Sequence, residues 1–256
     1  MRAYDRVQAA RKGTRPSGRF YIDGISDSFF EMHGDRRFAD DGAIVGGIGA
    51  INGKSVTFIA MERGGSIEER LRRGFGCPRP EGYRKALRLM KQAEKFSRPV
   101  VCFIGSSGAY CGIDAEQRGQ GEAIAENLME MMALKTPVVS VVIGEGGSGG
   151  ALALSVADKI IMLENAVYSV ISPEGCASIL WKDSAKAPDA AEALRLTAAD
   201  LKELGVADEI IPEGEEIDSE CCQKLKSAIL SAIKESEKLS VDEMLSKRYN
   251  KFRKIK

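Results

Sequence analysis

An α/β fold built on parallel strands is predicted by three observations. Short apolar runs rich in β-branched residues recur along the chain, each followed by a turn and a helical pattern. These runs are continuous rather than alternating, the pattern of strands covered on both faces. The chain has 256 residues, 44% of them hydrophobic, enough to bury both faces of such a sheet.

Residues 1–40 are charged and contain glycine, without sustained periodicity. Apolar runs over 43–50 and 55–60 flank Asn52-Gly53, and both of these residues tolerate positive φ, so a hairpin is expected. An Arg-rich loop spans Arg63 to Arg79. Pro80-Glu81-Gly82-Tyr83 opens a helix carrying Leu87, Leu89, Met90 and Ala93, because proline and an acid both suit a first turn. Segments 99–104, 137–143 and 159–163 read as buried strands, with helices near 115–134 and 149–157 between them. Helices near 187–204, a short strand at 209–211 and one long helix at about 218–250, with Leu225, Ile229 and Ile233, complete the chain. No Pro-, Gly- or Ser-rich linker and no repeat appears, so a single domain over 1–256 is expected.

Charge narrows the function classes. Lys plus Arg number 37 and Asp plus Glu 37, so a basic nucleic-acid binder is not expected. No apolar run approaches the ~20 residues of a spanning helix, and Met1-Arg2-Ala3-Tyr4-Asp5-Arg6 has no apolar h-region. A cytoplasmic location is expected. The six cysteines, at 77, 102, 111, 176, 221 and 222, form no C-x-x-C pair, and His33 is the one histidine. Reduced thiols and no metal are the expectation.

The segment Gly144-Glu145-Gly146-Gly147-Ser148-Gly149-Gly150-Ala151 lies between a strand and a helix and fits several patterns. Gly144, Gly146 and Gly149 satisfy the dinucleotide fingerprint G-x-G-x-x-G, with Glu164 about 20 residues on. Two strand–helix units precede it, however, whereas such a fingerprint usually opens its domain. Gly146-Gly147-Ser148-Gly149-Gly150 also satisfies the nucleophile elbow G-x-S-x-G, but no histidine follows Ser148 to act as base. A third reading needs no side chain: backbone N–H groups at a helix start form an oxyanion hole. The bland alternative is glycine chosen for close helix–strand packing alone.

Three smaller features stand out. Arg63, Arg70, Arg72, Arg73 and Arg79 suit phosphate groups or an acidic partner, or simply a solvated loop. His33 has no evident acid–base partner and reads as structural. Lys247, Arg248, Lys251, Arg253, Lys254 and Lys256 read as a basic tail at a fraying helix end.

Longer runs carry a family resemblance. The stretches 140–154 (Ser140-Val141-Val142-Ile143-Gly144 onward), 168–183 (Tyr168-Ser169-Val170-Ile171-Ser172-Pro173 onward) and 80–91 resemble the alpha subunits of bacterial acetyl-CoA carboxylase carboxyltransferase. So do His33-Gly34-Asp35-Arg36, Ala43-Ile44-Val45-Gly46-Gly47 and Leu201-Lys202-Glu203-Leu204-Gly205. The resemblance implies a crotonase-like (ClpP/crotonase) spiral of βαβ units with flanking helices. It implies transfer of a carboxyl group from carboxybiotin, carried on a biotin carboxyl carrier protein, to acetyl-CoA, giving malonyl-CoA for fatty acid synthesis.

The same resemblance implies the partners and the site. A zinc-ribbon beta carboxyltransferase subunit would supply most of the acyl-CoA site, and biotin carboxylase would consume ATP elsewhere in the complex. Gly149 and Gly150 would form the oxyanion hole for the biotin ureido oxygen. Gly146, Gly147 and Ala151, with Gly108, Ala109 and Tyr110, would face the biotin. No metal in this chain is implied. The family usually reads F-I-D-T-P-G-A-Y-P-G where this chain reads Phe103-Ile104-Gly105-Ser106-Ser107-Gly108-Ala109-Tyr110-Cys111-Gly112. That difference keeps two alternatives open, a paralogue acting on another acyl-CoA and a non-catalytic crotonase-fold binding subunit.

Overall fold

A computed structural model describes residues 1–214 and 217–255. The chain begins with helices α1 (Ala3–Arg11) and α2 (Gly18–Ile25), then strands β1 (Ser28–Glu31), β2 (Ile44–Ile51) and β3 (Lys54–Met61). Helices α3 (Ile67–Arg72) and α4 (Pro80–Lys95) lead into β4 (Val100–Ser106). After α5 (Ile113–Gln117) and α6 (Gln120–Ala133) come β5 (Val138–Gly147), α7 (Ser148–Leu152), β6 (Lys159–Leu163) and β7 (Val167–Ser169). The remainder is α8 (Pro173–Trp181), α9 (Ala187–Leu194), α10 (Ala198–Glu203), β8 (Glu209–Ile211), α11 (Ser219–Ser236) and α12 (Val241–Lys254).

The strands form one sheet in the order β1-β2-β3-β4-β5-β6-β8, with β7 paired to β5. β1, β2 and β3 are antiparallel, and Asn52-Gly53 makes the β2–β3 hairpin at φ +49° and +75° as expected. From β3 onward every pairing is parallel. β4 and β5 are buried along nearly their whole length, because helices cover the sheet on both sides. One buried cluster runs from Tyr21 to Ile233 and takes in the strand interiors, Leu89 and Met90 of α4, and Leu225 and Ile229 of α11.

Four expectations are corrected. The first 40 residues are not featureless: Tyr21, Ile22 and Ile25 line one face of α2 and are buried, a stripe too short to stand out as periodicity. The expected terminal helix is two helices. Ser240 caps α12, accepting from the Glu243 N–H at 3.3 Å while the Glu243 carboxylate returns to the Ser240 N–H at 2.9 Å. That S-x-x-E capping box is a restart signal. The helix expected near 187–204 splits in the same way, at Arg195 (φ +48°) and the Thr197–Asp200 capping box. The one near 115–134 breaks at Gly119 (φ +82°).

The basic tail is corrected too. Arg248 is 1% exposed and bonded to Asp158, and Lys251 pairs with Asp208, so part of this tail is structural. Lys256 lies outside the described residues.

Candidate active site

The C-terminal ends of β4 and β5 lie side by side, where open α/β sheets hold their ligands. β5 does not stop where its glycines begin. It continues to Gly147, pairing Gly146 with Ser106 of β4 on one side and with Tyr168 of β7 on the other. The glycine segment is therefore mostly strand, and Ser148 alone turns the chain into α7, at φ +54°.

The reason glycine is needed is visible in what a β-carbon would meet. On Gly147 it would lie 2.0 Å from the Ser107 carbonyl oxygen, and on Gly150 2.4 Å from the Ala109 nitrogen. Bare backbone lets the β5–α7 junction press against residues 107–109. Gly149 differs, since a β-carbon there would meet only Ile124, at 3.8 Å. Gly147 is the N-cap of α7 and brings no capping side chain. The first N–H groups of a helix have no acceptor within it, so those of Gly149 and Gly150 are not consumed by α7.

Several neighbours fix this junction. The Tyr83 hydroxyl donates to the Gly150 carbonyl at 3.1 Å. Burial pushes its phenol pKa well above the ordinary tyrosine value, so it stays a neutral donor. The Ser106 hydroxyl donates to the Gly108 carbonyl at 2.7 Å and accepts from the Gly108 N–H at 3.1 Å. The Tyr110 N–H donates to the Pro78 carbonyl at 3.0 Å, and its ring lies 4.0 Å from the Arg79 guanidinium. Gln120 clamps both segments, donating to the carbonyls of Pro78 at 2.8 Å and Tyr110 at 3.0 Å. From the N-terminal side, Arg11 donates to Glu145 at 2.7 Å and Glu174 at 2.8 Å.

The structure thus brings Gly108 and Ala109 against Gly147 and Gly150, with Gly146 and buried Ala151 beside them; Tyr110 is held by Pro78 and Arg79. Beside Gly146, Gly147 and Ser148 the cavity is only about 30 Å³. That is room for about one water, so this chain alone does not enclose a ligand there. Tyr83, Gln120 and Arg11 escaped the sequence reading of the site. Tyr83 lies within a quoted motif, but Arg11 meets partners 134 and 163 residues away and leaves no local signal.

The Arg-rich segment is not simply a solvated loop. Arg63 donates to the Arg15 carbonyl at 2.9 Å, Arg70 to Gly13 at 2.8 Å and Arg73 to Gly42 at 2.7 Å. His33 meets Asp40 at 3.1 Å and Glu31 at 3.8 Å, and Glu164 meets Arg6 at 3.6 Å. The residues that the hydrolase and dinucleotide readings would recruit are thus engaged elsewhere. Among the described residues no group of three or more His, Cys, Asp or Glu side chains is placed to hold a metal ion.

Solved structures show the same fold. Transcarboxylase 12S, with methylmalonyl-coenzyme A and methylmalonic acid bound, matches at TM-score 0.70 and 21% identity over 87% of this chain and 42% of that one. The beta subunit of geranyl-CoA carboxylase from P. aeruginosa matches at TM-score 0.68 and 17% identity, over 93% and 46%. The chain therefore spans less than half the length of either. A Pseudomonas malonate decarboxylase hetero-dimer matches at TM-score 0.66 and 16% identity, over 84% of this chain and 88% of that one. The shared architecture, with its strand–glycine–helix junction, is a crotonase-like α/β fold.

The sequence comparisons are narrower. The family described as acetyl co-enzyme A carboxylase carboxyltransferase-like matches residues 1–256. The acetyl-coenzyme A carboxylase carboxyl transferase subunit alpha of Ruminiclostridium cellulolyticum is 57% identical over 255 residues, covering 100% of this chain and 98% of that one. The Bacillus cytotoxicus subunit of the same name is 57% identical over 100% of this chain and 80% of its own length. The chain belongs to the family of acetyl-CoA carboxylase carboxyltransferase alpha subunits.

Proposed function

We propose that this chain is a carboxyltransferase alpha subunit that moves a carboxyl group from carboxybiotin, on a carrier protein, to acetyl-CoA, giving malonyl-CoA for fatty acid synthesis. The observation that carries the reading is the 57% identity to a protein of that name across the whole chain. One carboxyltransferase domain over 1–256 goes with this reading, because among the described residues a single large cluster links the sheet to the helices on both sides.

The N–H groups of Gly149 and Gly150 form the oxyanion hole in this reading, at ~3 kcal/mol of transition-state stabilisation per donor. Gly146, Gly147, Ala151, Gly108, Ala109 and Tyr110 make the wall that faces the biotin. What supports the fit is the close approach that only glycine permits at 147 and 150, beside an open position at 149. When bound, carboxybiotin supplies the carboxyl group to be transferred. This chain's part is to hold developing negative charge at the start of α7, with Tyr83 holding the Gly150 carbonyl. Ser148 provides the turn and no nucleophile.

The small cavity beside the junction supports a second chain that completes the site. A zinc-ribbon beta subunit fills that role in this reading. The biotin carboxyl carrier protein and biotin carboxylase join them in a cytoplasmic complex, with no part for nucleic acid or membrane. The test is malonyl-CoA decarboxylation with free biotin. Acetyl-CoA should form when this chain and its beta partner are combined and not with either alone. Turnover by this chain alone, or none by the correctly assembled pair, would overturn the proposal.

A further inference from the structure

A second cavity, of about 210 Å³, lies under the link between α1 and α2, over the C-terminal ends of β4 and β5. It shares Ser107 and Glu145 with the space beside the glycine junction. Three guanidinium groups reach its wall. Arg11 is saturated by Glu145 and Glu174, and Arg15 by Glu213 and the Ile143 carbonyl. Arg63 is not. Its Nη2 donates to the carbonyls of Lys12 and Arg15, its Nε is buried without an acceptor, and among the described residues no carboxylate pairs with it. Burial, and then the like charge of Arg70, lower its pKa more than nearby Glu62 and Glu145 raise it, so an anion on the guanidinium would favour its charged form. Phe75 and Ile143 give the same cavity an apolar wall.

We propose that this cavity binds a small monocarboxylate, its oxygens on the Arg63 guanidinium and its short alkyl part against Phe75 and Ile143. A planar guanidinium suits a carboxylate, and Arg63 has no carboxylate hydrogen-bonded to it among the described residues. Glu145 in the wall disfavours a phosphate dianion. The inference stands apart from carboxyl transfer, because binding to the chain by itself is what is read.

The test uses butyrate, its neutral isostere butyramide and inorganic phosphate, at equal ionic strength, on the full chain. Two quantities are measured: the thermal unfolding midpoint, and the rate at which phenylglyoxal modifies Arg63, followed by peptide mass mapping. Butyrate should raise the midpoint and slow modification of Arg63 several-fold, and butyramide should do neither. Arg63→Gln should weaken butyrate binding about tenfold or more, and Arg63→Lys less. The mapping is done on the unaltered chain, so a folding defect in either variant leaves it decisive. Equal protection by butyramide, stronger protection by phosphate, or none by butyrate would each sink the proposal.

Discussion

The peptide nitrogen of Ala109 sits 2.4 Å from the point where a β-carbon on Gly150 would lie, with the Gly108 carbonyl carbon at 2.7 Å. These two obstacles are backbone, so neither can swing aside, and the Tyr83 hydroxyl lies 2.9 Å from the same point. Gly150→Ala should therefore force α7 off residues 108–109 and destabilise the chain by about 1–3 kcal/mol, the usual scale of overpacking. Thermal unfolding of the isolated chain reads this directly. An unchanged midpoint would mean that the contact is looser than described.

Gly149 separates chemistry from packing. A β-carbon there meets only Ile124, at 3.8 Å, so Gly149→Val should fold and assemble. Carboxyl transfer should nevertheless fall roughly 10²–10³-fold, because the added side chain would crowd the ligand off these N–H groups, an effect on the scale of one lost oxyanion donor. Near-normal transfer by that variant would remove Gly149 from the site.

Ser148 provides the opposite control. It holds φ +54°, a conformation that disfavours a side chain. Ser148→Gly should be neutral or slightly stabilising, and Ser148→Ala should retain most transfer activity. Loss of turnover in Ser148→Ala with an intact fold would restore the hydroxyl to a chemical role.

The parallel strands and the hairpin were legible because continuous β-branched runs and Asn52-Gly53 are local signals. Helix ends were less so. The restarts at Thr197 and Ser240 are written as short capping boxes inside longer helical patterns, and the longer pattern dominates the reading. The glycines of the site were legible as a group, but their unequal roles were not. Whether a β-carbon fits at 149 or 150 depends on residues 108–109 and on Ile124, which the chain brings close only in three dimensions. The same holds for Arg11 and Arg248, whose carboxylate partners are distant in sequence.

Acid stability should report on Asp40. Its carboxylate accepts from the Lys85 ammonium at 2.6 Å and from the Gly34 N–H at 2.7 Å. Partial burial works against ionisation, but these bonds prevail and hold its pKa at about 2, below the ordinary 3.8. A depressed folded value means stabilisation that is full above about pH 4 and lost as pH falls toward 2. Asp40 is partly exposed, so screening limits its contribution, while Lys85 is 1% exposed and would lose its counter-charge. Asp40→Asn should cost about 1–2 kcal/mol at pH 7, and the gap to wild type should close between pH 4 and pH 2. Urea midpoints for both proteins across that range check it; a pH-independent gap would contradict the assignment.

Arg248 carries the largest stability prediction. Its side chain is 0% exposed. Its donors reach both oxygens of Asp158 at 2.8 Å, and the carbonyls of Met131 at 2.7 Å, Leu134 at 2.9 Å and Thr136 at 3.1 Å. One guanidinium thus satisfies the carbonyls at the end of α6 and neutralises a carboxylate that also accepts from the Val138 N–H at 2.8 Å, at the start of β5. Truncation removes this donor from every one of these acceptors under α12 and leaves Asp158 without its bonded counter-charge. Arg248→Ala should cost about 3–5 kcal/mol, the range for stripping one partner from a buried charge pair. Arg248→Lys should recover only part, because a point charge cannot span acceptors arranged around a planar fork. Exposed Lys247 and Arg253 on the same helix should tolerate alanine within about 0.5 kcal/mol. Urea denaturation ranks the four variants, and hydrogen exchange should show α12 losing protection only in the Arg248 pair. If Arg248→Ala behaves like Lys247→Ala, α12 is held by its apolar contacts alone and the buried guanidinium is not its anchor.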